Sequence, residues 1–131
     1  MIRSREHAEL LLRKASQDLF VLERLSADPV TPDEILGFHA HQAVEKMLKA
    51  ALTSRAIRYG RTHDLTELLK LLHQHQFSVP VDLEQLKQLA QFAVEFRYAE
   101  LPAPFDRSWA LELVLRVRGW AESVVQQKPA E

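Results

Sequence analysis

Four polar residues in the middle of the chain have the types and the spacing of an anion-binding helix face. They are separated by three, four and three positions, so on a helix they share one side: His39, Gln42, Lys46 and Lys49. The two ammonium groups supply charge for a phosphate, while the imidazole and the amide supply directional hydrogen bonds. The pattern therefore predicts a site for a phosphate or a nucleotide. The alternative is an ordinary solvated face on which Glu45 pairs with Lys49.

A segment with two arginines follows, and it ends in a histidine: Arg58, Arg61 and His63. A histidine can take a proton from a 2′-hydroxyl of RNA or give one to the leaving oxygen. An arginine can stabilise the charge that develops on the phosphate during cleavage. These residues predict a metal-independent ribonuclease centre in which His63 is the acid or base and Arg58 or Arg61 holds the phosphate. The alternative is structural: His63 and Asp64 cap the next helix, and Arg61 pairs with a nearby carboxylate.

A third candidate lies at the end of a later apolar segment. Arg97 can complete an anion site, and Tyr98 can stack on a base. Equally, Arg97 can pair with Glu95 or Glu100, while Tyr98 packs with its hydroxyl at the rim of the core. Both interpretations stay open at this point.

Histidines two positions apart do not predict a metal site in this chain. The pairs are His39 with His41 and His73 with His75. On a helix, side chains two positions apart point about 200° away from each other, so one ion cannot bind both. There is no cysteine, which excludes a thiolate site and a disulfide framework. We therefore expect no bound metal and no cofactor.

The elements that would position these residues are helices. Apolar residues recur at three- and four-residue spacing in five segments, with expected bounds of about 4–25, 31–55, 65–72, 82–98 and 106–124. Helix-capping residues precede three of them: Thr31, Thr62 or Asp64, and Asp106. The links are short, and no segment alternates apolar and polar residues as a strand would. The sequence thus predicts an all-α fold, an up-and-down bundle of about five helices.

Length and composition limit the class of protein. A chain of 131 residues that is 47% hydrophobic and 27% charged suits one globular domain over residues 1–131. The formal net charge of −1 gives no overall attraction to nucleic acid or membrane, although a local basic patch is compatible with it. The N-terminus lacks the apolar run of a signal peptide, and no stretch is long enough to span a membrane. We expect a cytoplasmic protein without a membrane partner.

Four aromatic residues have the spacing of core or dimer-interface positions: Phe92, Phe96, Trp109 and Trp120. A small bundle that leaves an apolar two-helix face usually covers it with a partner. The sequence therefore predicts a homodimer.

Several strings in the chain resemble those of the HEPN family of small helical domains. The helix string FHAxQAxEKxLKA is similar to residues 38–50, and the turn RTHDL is similar to residues 61–65. The opening WLxKAxxDL and the later VEARYP resemble residues 11–19 and 94–98. These strings occur in the family's order and cover about four-fifths of the chain, from residue 9 to about residue 120.

The resemblance implies a helix bundle like the C-terminal domain of kanamycin nucleotidyltransferase, and frequent homodimers. Many members act with a minimal nucleotidyltransferase as a toxin and antitoxin. Active members are metal-independent ribonucleases with an Arg-x4–6-His motif, which here fits only Arg58 and His63. In those ribonucleases the motif lies near the start of the last helix, and a tyrosine stands at the place of Thr62 in the toxins that nucleotidylation silences.

Three hypotheses follow from these residues and this resemblance. The first is a protein that binds nucleotide or RNA phosphate and acts with a nucleotidyltransferase partner in a toxin–antitoxin-like pair. The second is a ribonuclease centred on His63. The third is a non-catalytic dimerisation or interaction module, because one fold hosts several functions.

Overall fold

The computed structural model describes residues 2–93 and 105–127 of the chain. These residues form five α-helices and no strand: α1 (Ile2–Leu25), α2 (Asp33–Ser54), α3 (Leu65–Gln74), α4 (Leu83–Ala90) and α5 (Arg107–Gln126). The predicted all-α helical bundle is confirmed. One apolar core takes residues from all five helices, and α2 contacts each of the other four. Within these two stretches, no helix is both long and apolar enough to cross a membrane.

Aspartates begin the last three helices. The Asp64 carboxylate accepts from the backbone amides of Thr66 and Glu67, and Asp106 accepts from the amide of Trp109 at 3.0 Å. Asp82 and Gln85 form a reciprocal capping box. These side chains satisfy amides that have no partner inside the helix. The predicted caps at Asp64 and Asp106 are confirmed.

The start of α2 differs from the sequence prediction. Pro32 occupies the N-cap position, and no side chain caps the helix. Thr31 does not act as the predicted cap, because its hydroxyl donates to the Asp28 carboxylate at 3.1 Å instead. The Arg107 guanidinium holds this α1–α2 loop from the outside. It pairs with Asp33 at 2.9 Å and donates to three loop carbonyls, those of Ser26, Asp28 and Thr31.

Two helices end in a left-handed residue that is not glycine. Ala56 follows α2 with φ 57°, and Gln76 follows α3 with φ 65°. In each case the next residue's amide bonds back to the last turn: Ile57 to the Leu52 carbonyl and Phe77 to the Leu72 carbonyl, both at 3.0 Å. This bonding pattern is the Schellman motif, which usually has glycine at the left-handed position. The motif after α2 sets the direction in which the α2–α3 loop leaves the helix.

The fourth helix is shorter than predicted. It ends at Ala90 rather than Tyr98, and residues 94–98 lie outside the described residues. The amides of Phe92 and Ala93 bond to carbonyls only three residues back, which tightens the chain into a turn. This turn buries Phe92 directly against Gly37 of α2, where an added Cβ would lie 2.3 Å from the ring. Phe92 is therefore a core residue, whereas Trp109 and Trp120 pack at the core's edge.

Candidate functional site

The four predicted residues of α2, His39, Gln42, Lys46 and Lys49, are called the polar face below. A buried carboxylate on α1 contacts two of them. Asp18 is only 7% exposed. One of its oxygens lies 2.8 Å from Nδ1 of His39, and the other accepts from Nζ of Lys46 at 2.6 Å. Two residues of the predicted face are thus held by one acid from a neighbouring helix. The sequence prediction did not include Asp18, although an acid three positions after Ala15 on the apolar face of α1 was the available signal.

The Asp18 contact also fixes how His39 presents its ring. A carboxylate at Nδ1 favours the tautomer that carries its hydrogen there, which leaves Nε2 able to accept a proton. Phe38 packs edge-on against the imidazole, with ring centroids 5.3 Å apart. His39 is partly exposed, so the ring is both oriented and reachable from solvent.

A second buried carboxylate, Glu45 of α2, contacts Lys49 of the polar face and a histidine of the following loop. It is 3% exposed, and its carboxylate accepts from Nζ of Lys49 at 3.0 Å. Both of its oxygens also lie 3.0 Å from Nδ1 of His63 in the α2–α3 loop. The predicted pairing of Glu45 with Lys49 is confirmed. The contact with His63 was not predicted, because it joins residues 18 positions apart.

His63 does not cap α3, so that part of the structural alternative is wrong, whereas the part that concerns Asp64 is confirmed. The reason is geometric, since the ring turns toward Glu45 while Asp64 faces the first amides of α3. The His63 side chain remains 74% exposed. An exposed imidazole on a buried carboxylate is an arrangement that can accept and release a proton.

Two arginines near His63 remain available for a ligand. Arg58 and Arg61 are exposed, and neither makes a hydrogen bond or ion pair with any residue in the described part of the chain. The predicted pairing of Arg61 with a carboxylate is thus not found there. Instead, Thr62 orders the loop: its hydroxyl donates to Glu67 and accepts from the Asp64 amide, each at 3.0 Å.

The charge on the polar face is largely balanced. Lys46 faces Asp18 and Lys49 faces Glu45, while Gln42, one turn before Lys46 on α2, is half-buried. Each ammonium still has donors to spare, because Nζ carries three hydrogens. The net positive charge of the region therefore comes from Arg58 and Arg61 rather than from the lysines.

A second imidazole lies beneath Glu45. His41 is 0% exposed, and neither of its ring nitrogens has a hydrogen-bond partner. Its Nδ1 lies 3.8 Å from Glu45, which is too long for a hydrogen bond. Burial lowers the pKa of His41 below its usual 6.5, an effect that the charge of Glu45 opposes. His41 is therefore a neutral group of the protein interior.

One predicted site falls on residues that the structure does not describe. Arg97 and Tyr98 lie outside the described residues. Among residues 2–93 and 105–127, no three histidine, aspartate or glutamate side chains are grouped as a metal would require.

Comparison with protein families matches the HEPN domain to residues 8–126 of the chain. Comparison with curated proteins gives no match, and comparison with solved structures gives none either. The matched range contains both buried carboxylates and every residue of the polar face.

Proposed function

Because the chain belongs to the HEPN family, a family of nucleotide-binding or ribonuclease-like helical modules, we propose that it binds the phosphate of a nucleotide or of RNA. The binding face consists of His39, Gln42, Lys46, Lys49 and His63. One observation supports this above others: two buried carboxylates each hold an imidazole and an ammonium group, and all four of these groups are at least partly exposed to solvent.

The arrangement suits a phosphate because the donors are positioned before the ligand arrives. A side chain that is already ordered loses less conformational freedom on binding than a solvated lysine does. Arg58 and Arg61 add the long-range attraction that the balanced lysines lack. From the sequence alone, Arg97 and Tyr98 are proposed to contribute a further cation and a ring on which a base can stack.

The test is a binding titration with a short ribo-oligonucleotide at fixed salt. The double substitution Lys46→Ala with Lys49→Ala should weaken binding at least tenfold, since a hydrogen bond to a charged group contributes about 1.5–3 kcal/mol. The matched control is Lys14→Ala with Lys87→Ala, which removes the same charge from exposed lysines on α1 and α4. Equal affinities for the two double variants, both folded by circular dichroism, would remove the face from the proposal.

A metal-independent ribonuclease is the second candidate, and the contact between Glu45 and His63 favours it. In this scheme His63 takes the proton of a 2′-hydroxyl, and the 2′-oxygen attacks the adjacent phosphorus. The bond from phosphorus to the 5′-oxygen breaks, and that oxygen gains a proton. The products are a 2′,3′-cyclic phosphate and a 5′-hydroxyl end, while Arg58 or Arg61 stabilises the phosphate in the transition state.

Incubation with a labelled RNA pool in EDTA tests this second candidate. We expect cyclic phosphate products from the wild type, none from His63→Ala, and a large decrease with Glu45→Gln, because the carboxylate positions the ring. His73→Ala is the control, since it removes an exposed histidine from α3. Full activity in His63→Ala would reject His63 as the acid or base.

For partners, we propose a homodimer that acts in the cytoplasm with a minimal nucleotidyltransferase, as a toxin–antitoxin-like pair. Family membership supports this, and so do exposed apolar side chains on α1, Leu10 and Phe20. Light scattering should give twice the 15.1 kDa chain mass. A minimal nucleotidyltransferase should be encoded beside this gene, and its product should copurify with the chain. Copurification without nucleotide binding or cleavage would favour the third hypothesis, an interaction module.

A further inference from the structure

A cavity of about 280 Å³ lies between the α2–α3 loop and the outer side of α3. Tyr59, Gly60 and Thr62 form its loop side, and Glu67, Lys70 and Gln74 form its helix side. No residue of the polar face lines it, so the cavity is a separate feature. Thr62 nevertheless lies next to Arg61 and His63 in the chain, which places the cavity beside the proposed phosphate-binding residues.

The cavity has an apolar wall and a polar rim. Leu68 and Leu71 contribute the aliphatic wall, and the Tyr59 ring supplies a flat aromatic surface. That ring has two neighbours on α2: Nζ of Lys49 lies 5.6 Å from its centroid, and the Thr53 hydroxyl lies within hydrogen-bond distance of its own hydroxyl, at 3.3 Å. An ordered aromatic ring beside aliphatic carbon is a surface on which a nucleobase stacks.

The rim carries one carboxylate, that of Glu67, and one ammonium group, that of Lys70. Glu67 and Lys70 are three positions apart on α3, so both reach the same side of the helix. The hydroxyl of Thr62 donates to Oε2 of Glu67 at 3.0 Å, which orients the carboxylate and leaves its other oxygen and further lone pairs for a ligand.

We propose that this cavity binds the guanine base of a nucleotide or of single-stranded RNA, an inference that rests on the proposed phosphate-binding function. Guanine alone among the four RNA bases presents two adjacent N–H donors, at N1 and N2, with a carbonyl oxygen beside them. The Glu67 carboxylate accepts from both donors, and the Lys70 ammonium donates to O6. Because Thr62 adjoins Arg61 and His63 in the chain, we place the phosphate of the bound guanine nucleotide at those two residues, so that the base selects which phosphate is bound.

Nuclear magnetic resonance titrations can distinguish binding in the cavity from binding at the phosphate-binding face. Each probe carries either the base or the phosphate, but not both. Guanosine should shift the amides of Gly60 and Thr62 and bind more tightly than adenosine. Ribose 5-phosphate should instead shift the amides of the polar face. In Glu67→Gln, guanosine affinity should fall about 5- to 150-fold, as expected for one lost bidentate base contact. Ribose 5-phosphate affinity should not change.

Glu112→Gln is the matched control, because it makes the same charge change at an exposed position on α5. Its guanosine affinity should equal that of the wild type. Equal affinity for guanosine and adenosine, or an unchanged affinity in Glu67→Gln, overturns the guanine assignment. Binding of ribose 5-phosphate without guanosine overturns it as well but leaves the proposed function standing, whereas the absence of binding by any probe overturns both.

Discussion

Asp18 and Glu45 occupy positions where an amphipathic helix normally places an apolar side chain. A buried carboxylate is costly unless it is paired and hydrogen-bonded, and both of these meet an ammonium and an imidazole. The lysines and histidines of the face are therefore ordered by contacts that also satisfy buried charge. At the scale of single residues, the site and the stability of the fold depend on the same atoms.

His41 makes the stability of the fold sensitive to acid. Burial lowers the pKa of His41, so the folded protein keeps this ring neutral at pH values where the unfolded chain, with an ordinary pKa of 6.5, binds a proton. The unfolded state thus binds more protons, and the free energy of unfolding falls as the pH falls through 6.5. Between pH 6.5 and about one pH unit lower, the free energy of unfolding should therefore fall by about 1 kcal/mol less in His41→Leu than in the wild type.

Urea unfolding of the wild type and of His41→Leu on either side of that pH measures the difference. His7→Gln, which removes an exposed imidazole from α1, should keep the full acid dependence of the wild type. An identical fall in His41→Leu and the wild type would show that other groups cause it.

Much of the candidate site was predictable, because helical periodicity alone places His39, Gln42, Lys46 and Lys49 on one face. The same spacing also predicted Glu45 as the partner of Lys49, but the other contacts of the face were not predictable. Asp18 and His63 reach the face from another helix and from a loop, and sequence spacing says nothing about which elements pack together. That Lys46 is balanced by Asp18 could therefore only be learned from the tertiary structure.

At the scale of the elements, two helix ends carry residues that are poorly suited to their backbone. A left-handed conformation costs an L-residue about 1–2 kcal/mol, which glycine avoids. Ala56 adopts this conformation at the end of α2, immediately before the loop that carries Arg58, Arg61 and His63.

Ala56→Gly should therefore stabilise the protein by about 1 kcal/mol. Chemical denaturation of the variant would measure this as a higher transition midpoint with an unchanged slope. Ala27→Gly is the control, because Ala27 is also exposed but has no positive φ. That change should be neutral or destabilising, and the same result for Ala56→Gly would count against the expected gain.

Gly37 and Gly119 should respond in opposite ways to alanine, although both lie inside helices. An added Cβ on Gly37 would overlap the Phe92 ring, whereas one on Gly119 would have no atom within 4 Å. Gly37→Ala should destabilise by about 1–3 kcal/mol, as overpacking does. Gly119→Ala should stabilise by up to about 1 kcal/mol through helix propensity. Thermal unfolding of both variants measures the two signs, and a stabilised Gly37→Ala would contradict the close packing of Phe92.

The helices themselves were predictable because their apolar periodicity and aspartate caps are local signals. The end of α4 was not, since the apolar pattern continues through Val94. What ends the regular helix is a turn whose burial of Phe92 depends on the absence of a side chain at Gly37. That complementarity joins residues far apart in the chain, so local spacing could not reveal it.

At the scale of the whole molecule, Arg107 joins the start of α5 to the loop between the first two helices. Its planar guanidinium reaches one carboxylate and four carbonyls, one of them at the end of α1, a geometry that a lysine ammonium cannot reproduce. Arg107→Lys should cost about 2–3 kcal/mol of unfolding free energy. Arg118→Lys, at an exposed pair with Glu122, should cost less than about 0.5 kcal/mol. If both variants lost the same free energy of unfolding, the contacts of Arg107 with the α1–α2 loop would not stabilise the fold as expected.

The central place of α2 has a consequence for the timescale of motion at the site. Because α2 contacts every other described helix while α3 contacts only α2 and α4, backbone amides from His39 to Lys49 should exchange with deuterium only through global unfolding. Amides of α3 can exchange through local opening, which requires less free energy. The part of the binding face that lies on α2 should thus keep its geometry for the lifetime of the folded chain, while the cavity beside α3 opens and closes many times within that lifetime.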